Sequence, residues 1–190
     1  MRVLFVCHGN VCRSALAEYL LRDALHARGV AASAVTVSSC GLLRLDGYPM
    51  DERYVRLLAA RDVDGTVHRS TPFSPALALD ADLTLVFTRD QADELLGYAP
   101  AVARRTFLLD DFANLCAACV RDGDLEDVAS PDDRLRAMLL AAPFKRPLLP
   151  RTQDIQDPHR QSDEVYAQVA DEIAARVAVV ADALAGAAAA

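Results

Sequence analysis

The stretch from Val3 to Gly29 constrains the fold of this chain more than any other. Val3-Leu4-Phe5-Val6 is an unbroken apolar run rich in β-formers, which suits a strand buried on both faces. A Gly9-Asn10 turn follows. From Arg13 to Arg28 the apolar residues Leu16, Leu20, Ala24 and Ala27 recur at helical spacing, and Gly29 stands where a C-cap is expected. A doubly buried strand running through a short turn into a helix is the first half of a βαβ unit. Strands buried on both faces belong to parallel sheets with helices on either side.

The same alternation continues. Residues Ala34 to Ser38 alternate like a second strand, and Asp51 to Ala60 reads as a helix behind Pro49. Leu83 to Phe87 is a third apolar run, followed by helical Gln91 to Leu96, and Thr106 to Leu109 is a candidate fourth strand. Asp110 to Arg121 and Pro131 to Ala142 carry helical patterns, while Pro143, Pro147 and Pro150 mark an extended connection. The last helix starts near Ser162, with Val165, Val169, Ile173, Val177, Val180 and Leu184 along one stripe. Strands alternating with helices imply a doubly wound α/β fold, in which ligands bind beyond the carboxyl ends of the strands. Cys7 falls at such an end.

The whole chain narrows the functional classes. At 190 residues it is long enough for one domain with its own core, placed at 1–185 and followed by an Ala-rich tail, 186–190. No apolar run approaches the roughly 18 residues of a membrane span, and the N-terminal run is too short for a signal peptide. Five cysteines without a secreted spacing point to reduced thiols and a cytoplasmic location. A net charge of −7 with no basic stripe argues against nucleic acid. Cys116 and Cys119 form a Cys-x-x-Cys, but lie in a helical apolar stretch with no second pair, so they read as core thiols. His8, His26, His68 and His159 show no ligand spacing; neither metal nor cofactor is expected.

The turn after the first strand carries the chemistry. In Cys7-His8-Gly9-Asn10-Val11-Cys12-Arg13-Ser14 a cysteine ends a strand and an arginine opens a helix six residues later. The turn's N–H groups and the helix N-terminus can converge on one cup that cradles a phosphate dianion. Gly9 lets the backbone approach closely, and Asn10 tolerates a left-handed conformation. The field of the helix terminus favours a thiolate at Cys7. Arg13 can grip two phosphate oxygens through its planar fork, which lysine cannot. The Ser14 hydroxyl can donate to the Cys7 sulfur. A leaving alkoxide or phenolate also needs a proton from a carboxylic acid across the phosphate. Asp157, stiffened by Pro158, is the leading candidate and Asp154 its nearest rival.

The run Val6 to Ser14 resembles the signature of the low-molecular-weight protein-tyrosine phosphatases, with Ala15 where a proline is common. Ser39-Cys40-Gly41, Gly47-Tyr48-Pro49-Met50-Asp51, His68 and Asp157-Pro158 resemble further landmarks in the same order. The resemblance covers nearly the whole chain, with a longer helical stretch at about 110–150. It implies a three-layer fold with a four-stranded parallel sheet in the order 2-1-3-4 and the phosphate loop after the first strand. It also implies hydrolysis of phosphomonoesters, chiefly protein phosphotyrosine, through a phosphocysteine, without metal. Cys7, Arg13 and Asp157 would be catalytic. His8, Gly9, Asn10, Val11, Cys12 and Ser14 would bind phosphate or shape the loop, with Asn10 held by Ser39 and His68. A reversible Cys7–Cys12 disulfide is implied too, against a plain packing role for Cys12.

Two departures concern the substrate. Where the family has aromatic cleft walls, this chain has Leu42-Leu43-Arg44-Leu45 and His159-Arg160, with Tyr48 as a partial substitute. Arsenate reductases and phosphoarginine phosphatases share the loop. The former need further cysteines where Phe87-Thr88-Arg89 stands; the latter resemble sequences with threonine at the place of Val11. A phosphate-binding module without turnover is the alternative from another class.

Overall fold

A computed structural model describes residues 1–186; of the Ala-rich tail, residues 187–190 lie outside the described residues. Four strands, β1 (Arg2–Cys7), β2 (Thr36–Gly41), β3 (Leu83–Val86) and β4 (Thr106–Leu108), form one all-parallel sheet in the order β2-β1-β3-β4. Around it lie α1 (Arg13–Ala27), α2 (Glu52–Ala59), α3 (Pro75–Asp80), α4 (Arg89–Tyr98), α5 (Leu109–Arg121), α6 (Pro131–Lys145) and α7 (Asp163–Ala185). The expected α/β sheet and its strand order are therefore correct.

The period of two in β1 explains the three layers. Val3, Phe5 and Cys7 point into a large core with Leu16 of α1, Phe112 of α5 and Ile173 of α7, whereas Leu4 and Val6 point into a smaller core with Leu95 of α4 and Val102. Both faces are covered, so β1 needs no polar alternation. The placement of Cys7 follows: its side chain emerges on the face of α1 and α7, at the carboxyl end of the central strand.

Three expectations are corrected. The helix α3 was not expected, because six residues led by Pro75 carry no periodic stripe. Pro143 does not open an extended connection. It lies inside α6, two residues before the last, where Leu135, Met138 and Ala142 keep the buried stripe running. A proline there removes one backbone hydrogen bond without cutting the helix off from the core. In α7 the buried stripe begins at Tyr166 rather than Val165, which is only partly buried, and continues through Val169, Ile173, Val177, Val180 and Leu184 as expected.

Candidate active site

The site grows from the way β1 gives way to α1. Leu42 N–H donates to the Cys7 carbonyl and Leu43 N–H to the His8 carbonyl, which pins the turn against the segment leaving β2. Gly41 makes that approach possible: a Cβ there would stand 2.6 Å from the His8 carbonyl oxygen and 2.9 Å from Asn10 N. At Gly9 a Cβ would meet only the Leu45 side chain at 3.4 Å and that of Val11 at 3.5 Å. Within the protein, the tight approach between the turn and its neighbouring strand is the one at Gly41.

Asn10 is the keystone of the turn. Its φ of 54° is left-handed, a conformation asparagine tolerates better than most residues. Fully buried, it uses every polar group it has. Nδ2 donates to Ser39 Oγ at 2.7 Å and Ser14 Oγ at 3.0 Å, Oδ1 accepts from Thr71 N at 2.8 Å, and its carbonyl accepts from His68 Nε2 at 2.8 Å. The expected grouping of Asn10 with Ser39 and His68 is present in the geometry. Sequence reasoning missed Thr71 and a third layer behind them: Ser39 Oγ donates to the buried carboxylate of Glu18, which also pairs with Arg22 at 2.5 Å. Burial pushes the Glu18 carboxyl up, while Ser39 and Arg22 pull it down. Glu18 lies on α1 one turn past Ser14, and only its place on the buried side of the helix could have exposed it.

This network fixes the direction of its hydrogen bonds. Ser39 spends its proton on Glu18 and accepts from Asn10. Ser14 Oγ likewise accepts from Asn10, which leaves its own proton for Cys7 Sγ at 2.9 Å; the alternative acceptor, the Cys40 carbonyl, lies at 3.4 Å. Asn10 N–H adds a second donor to the sulfur at 3.3 Å. The sulfur is therefore the acceptor of two hydrogen bonds.

Across the cup the Arg13 guanidinium is almost entirely buried beneath the loop that precedes α7. Nη1 donates to the Ile155 carbonyl at 3.1 Å and Nη2 to Asp157 Oδ2 at 2.6 Å, while the buried Nε has no partner. Ile155 N–H in turn bonds the Phe87 carbonyl at 2.8 Å, which ties the loop to the end of β3. Asp157 is brought to the cup. Asp154 is not: it binds Arg89 at the start of α4, with its Oδ1 3.1 Å from Arg89 N. A cleft of about 110 Å³ remains, lined by Cys7, Arg13, Asp157, His159, Leu43 and Leu45 among others. His8, Gly9, Val11 and Cys12 complete its lining, whereas Tyr48 and Arg160 do not reach it.

At the wall of the cleft the Cys12 sulfur lies 3.9 Å from the Tyr166 phenol oxygen, and Tyr166 donates to Asp51 at 2.9 Å. Burial, and next the charge of Asp51, push the Cys12 thiol up to about 12. Cys116 and Cys119 are buried in the large core as free thiols, Cys116 against Met138. Among the described residues no group of three or more His, Cys, Asp or Glu is placed to hold a metal ion, and no helix is long and apolar enough to cross a membrane.

A cysteine at the carboxyl end of β1 and an arginine opening α1, joined by a tight turn in a 2-1-3-4 parallel sheet, mark the class: an α/β protein with a cysteine–arginine loop after its first strand. A family model described as low molecular weight phosphotyrosine protein phosphatase matches residues 2–134. The chain belongs to that family. It is 36% identical over 109 residues to a probable low molecular weight protein-tyrosine-phosphatase, EpsP, of Ralstonia nicotianae, covering 57% of this chain and 70% of that protein. Among solved structures, the tyrosine phosphatase Wzb of Escherichia coli K30 with sulphate superposes with a TM-score of 0.67 at 23% identity, over 95% of this chain and 96% of that one. The YwlE arginine phosphatase of Geobacillus stearothermophilus gives 0.69 at 23% identity, over 95% and 90%.

Proposed function

We propose that the protein is a metal-independent phosphatase that hydrolyses phosphomonoesters, chiefly phosphotyrosine on proteins, through a phosphocysteine. The observation that carries this reading is the double donation to Cys7 Sγ, from Ser14 and from Asn10 N–H, opposite the Arg13–Asp157 pair. A phosphate dianion entering the cup takes over Arg13. The unpartnered Nε and Nη2 share one edge of the guanidinium and offer it two parallel donors. Asp157 is thereby released from the arginine.

Cys7 Sγ then attacks phosphorus in line with the ester oxygen. The S–P bond forms, the P–O bond breaks, and protonated Asp157 gives its proton to the departing oxygen. Arg13 and the N–H groups of residues 8–14 carry the charge of the equatorial oxygens. In the second step Asp157, now a carboxylate, takes a proton from water as that water attacks phosphorus. The S–P bond breaks, and the Ser14 proton receives the thiolate. Residues 1–185 would act as one phosphatase domain, with 110–150 as its helical extension. Its partner would be a phosphorylated protein, and its five unpaired thiols suit a reducing cytoplasm.

Leu43 and Leu45 give the cleft an aliphatic wall that accepts an aromatic ring by burial, without stacking. The test is turnover of p-nitrophenyl phosphate beside phosphotyrosine, phosphoserine and phosphoarginine peptides. Wild type should favour the aryl esters. Cys7→Ser should abolish turnover, and Asp157→Ala should lower it by about 10²–10⁴. Ser14→Ala should slow thiolate release enough to produce a burst of p-nitrophenol. Equal inactivity of wild type and Cys7→Ser would defeat the enzyme reading, and preference for phosphoarginine would replace the substrate class.

A further inference from the structure

Asp154 stays outside the cup, yet it ties the segment that carries Asp157 to the start of α4. Its Oδ1 accepts from Arg89 N–H at 3.1 Å, and Arg89 is the first residue of that helix. The N-cap Thr88 serves the Gln91 N–H at 3.3 Å, so the Arg89 N–H would otherwise be an orphan donor of the helix terminus. A carboxylate from far along the chain completes the cap, with the helix dipole in its favour. The Arg89 guanidinium returns to the same segment: Nη1 lies 3.5 Å from Asp154 Oδ1, and Nη2 donates to the Thr152 carbonyl. One residue on, Ile155 N–H donates to the Phe87 carbonyl at 2.8 Å, and the fully buried Gln91 accepts from Phe87 N–H at 2.9 Å.

We propose that Asp154 is a positioning residue for the reaction: it clasps residues 152–155 to the start of α4 and so keeps Asp157 over the cup. The inference rests on the phosphatase reading above. Asp157 is held by Arg13 Nη2 at 2.6 Å, and in the proposed reaction that contact is given up to the phosphate. It is lost at the moment when Asp157 must stand beside the leaving oxygen. The ties left to the segment before Asp157 are then those of Ile155 and the clasp. The Ile155 carbonyl hangs on Nη1 of the same arginine at 3.1 Å, so it follows any shift of the guanidinium toward phosphate. Asp154 is anchored instead on the backbone of α4, which does not move with Arg13. The side chains of Arg89 and Asp154 are 59% and 39% exposed, so their ion pair contributes little. The bond to the helix N–H is what fixes the segment.

The experiment compares kcat/KM on two esters, phenyl phosphate, whose leaving group needs a proton, and 2,4-dinitrophenyl phosphate, whose leaving group departs without one. Asp154→Ala should lower kcat/KM about tenfold on phenyl phosphate, the scale of a small misplacement of the acid, and leave the dinitrophenyl ester unchanged. Asp154→Asn, which keeps an acceptor for the helix N–H, should stay within about twofold of wild type on both. In an Asp157→Ala background, Asp154→Ala should cost nothing further, because there is no acid left to position. Independently of turnover, the Ile155 amide should exchange about tenfold faster in Asp154→Ala. Wild-type kinetics in Asp154→Ala overturn the inference, as do an equal loss on both esters, a loss that persists without Asp157, or an unchanged Ile155 amide. A wild type inactive on both esters would defeat the phosphatase reading and the positioning role with it, even where the amide shows the clasp intact.

Discussion

A Cβ on Gly41 would press on the His8 carbonyl and Asn10 N, which are backbone atoms and cannot rotate aside as a flexible side chain could. Either β2 or the phosphate loop must shift, and β2 is held in register by its pairing with β1 from Arg2↔Thr36 to Cys7↔Gly41. The loop is the softer partner. Overpacking of this kind costs about 1–3 kcal/mol, but the larger effect should fall on chemistry, since the N–H groups proposed to hold phosphate would move with the loop. Gly41→Ala should therefore lose turnover by a hundredfold or more, on the order of 3 kcal/mol in barrier. Phosphate should also protect it less against thermal unfolding than it protects wild type. A variant with wild-type kinetics would show that the loop tolerates the shift.

At the scale of elements, the corner between α5 and α6 is held by Lys145, whose ammonium reaches both Asp122 and Asp124. The hydrogen bond from Lys145, then that from Arg121, holds the Asp122 carboxyl below its ordinary 3.8. A carboxylate with a depressed folded value stabilises above its unfolded value and loses that contribution as pH falls through the folded one. Lys145→Met should thus speed amide exchange over residues 121–131 at neutral pH with unchanged turnover, and the difference should vanish in acid below the usual carboxylate range. Equal exchange at neutral pH would assign the corner to packing alone. Elements with a long apolar period were legible in the sequence: β1, α1 and α7 follow from their own residues. What escaped was decided by neighbours. The helix α3 has too few residues for a stripe, and Pro143 stays helical because Met138 and Ala142 are already anchored. In the site, Cys7, Arg13 and Asn10 were legible because turn chemistry names them. Glu18, Thr71 and Gly41 were not legible as its support, because their importance lies in distances between segments far apart in the chain.

At the scale of the molecule, the match to the family model ends at residue 134, yet the carboxylate facing Arg13 and the longest helix lie beyond it. Those last residues are no appendage. Tyr166, Val169, Ile173, Val177, Val180 and Leu184 of α7 belong to the same continuous core as Val3, Phe5 and Cys7, and Leu135, Met138 and Ala142 tie α6 into it. A core shared in this way should melt as one unit, with the helical extension unable to open ahead of the sheet. Two native thiols can report on this. Cys116 is fully buried where α5 meets α6, and Cys40 is fully buried in the smaller core on the other side of the sheet. Burial pushes both thiols up, so both must be uncovered before they react. Under rising denaturant, alkylation followed residue by residue should give one midpoint for Cys40 and Cys116, coincident with loss of helical circular dichroism. Earlier labelling of Cys116 would instead mean that α5 and α6 open while the sheet and the phosphate cup stay folded, and the extension would then be an independent unit carried by the phosphatase fold.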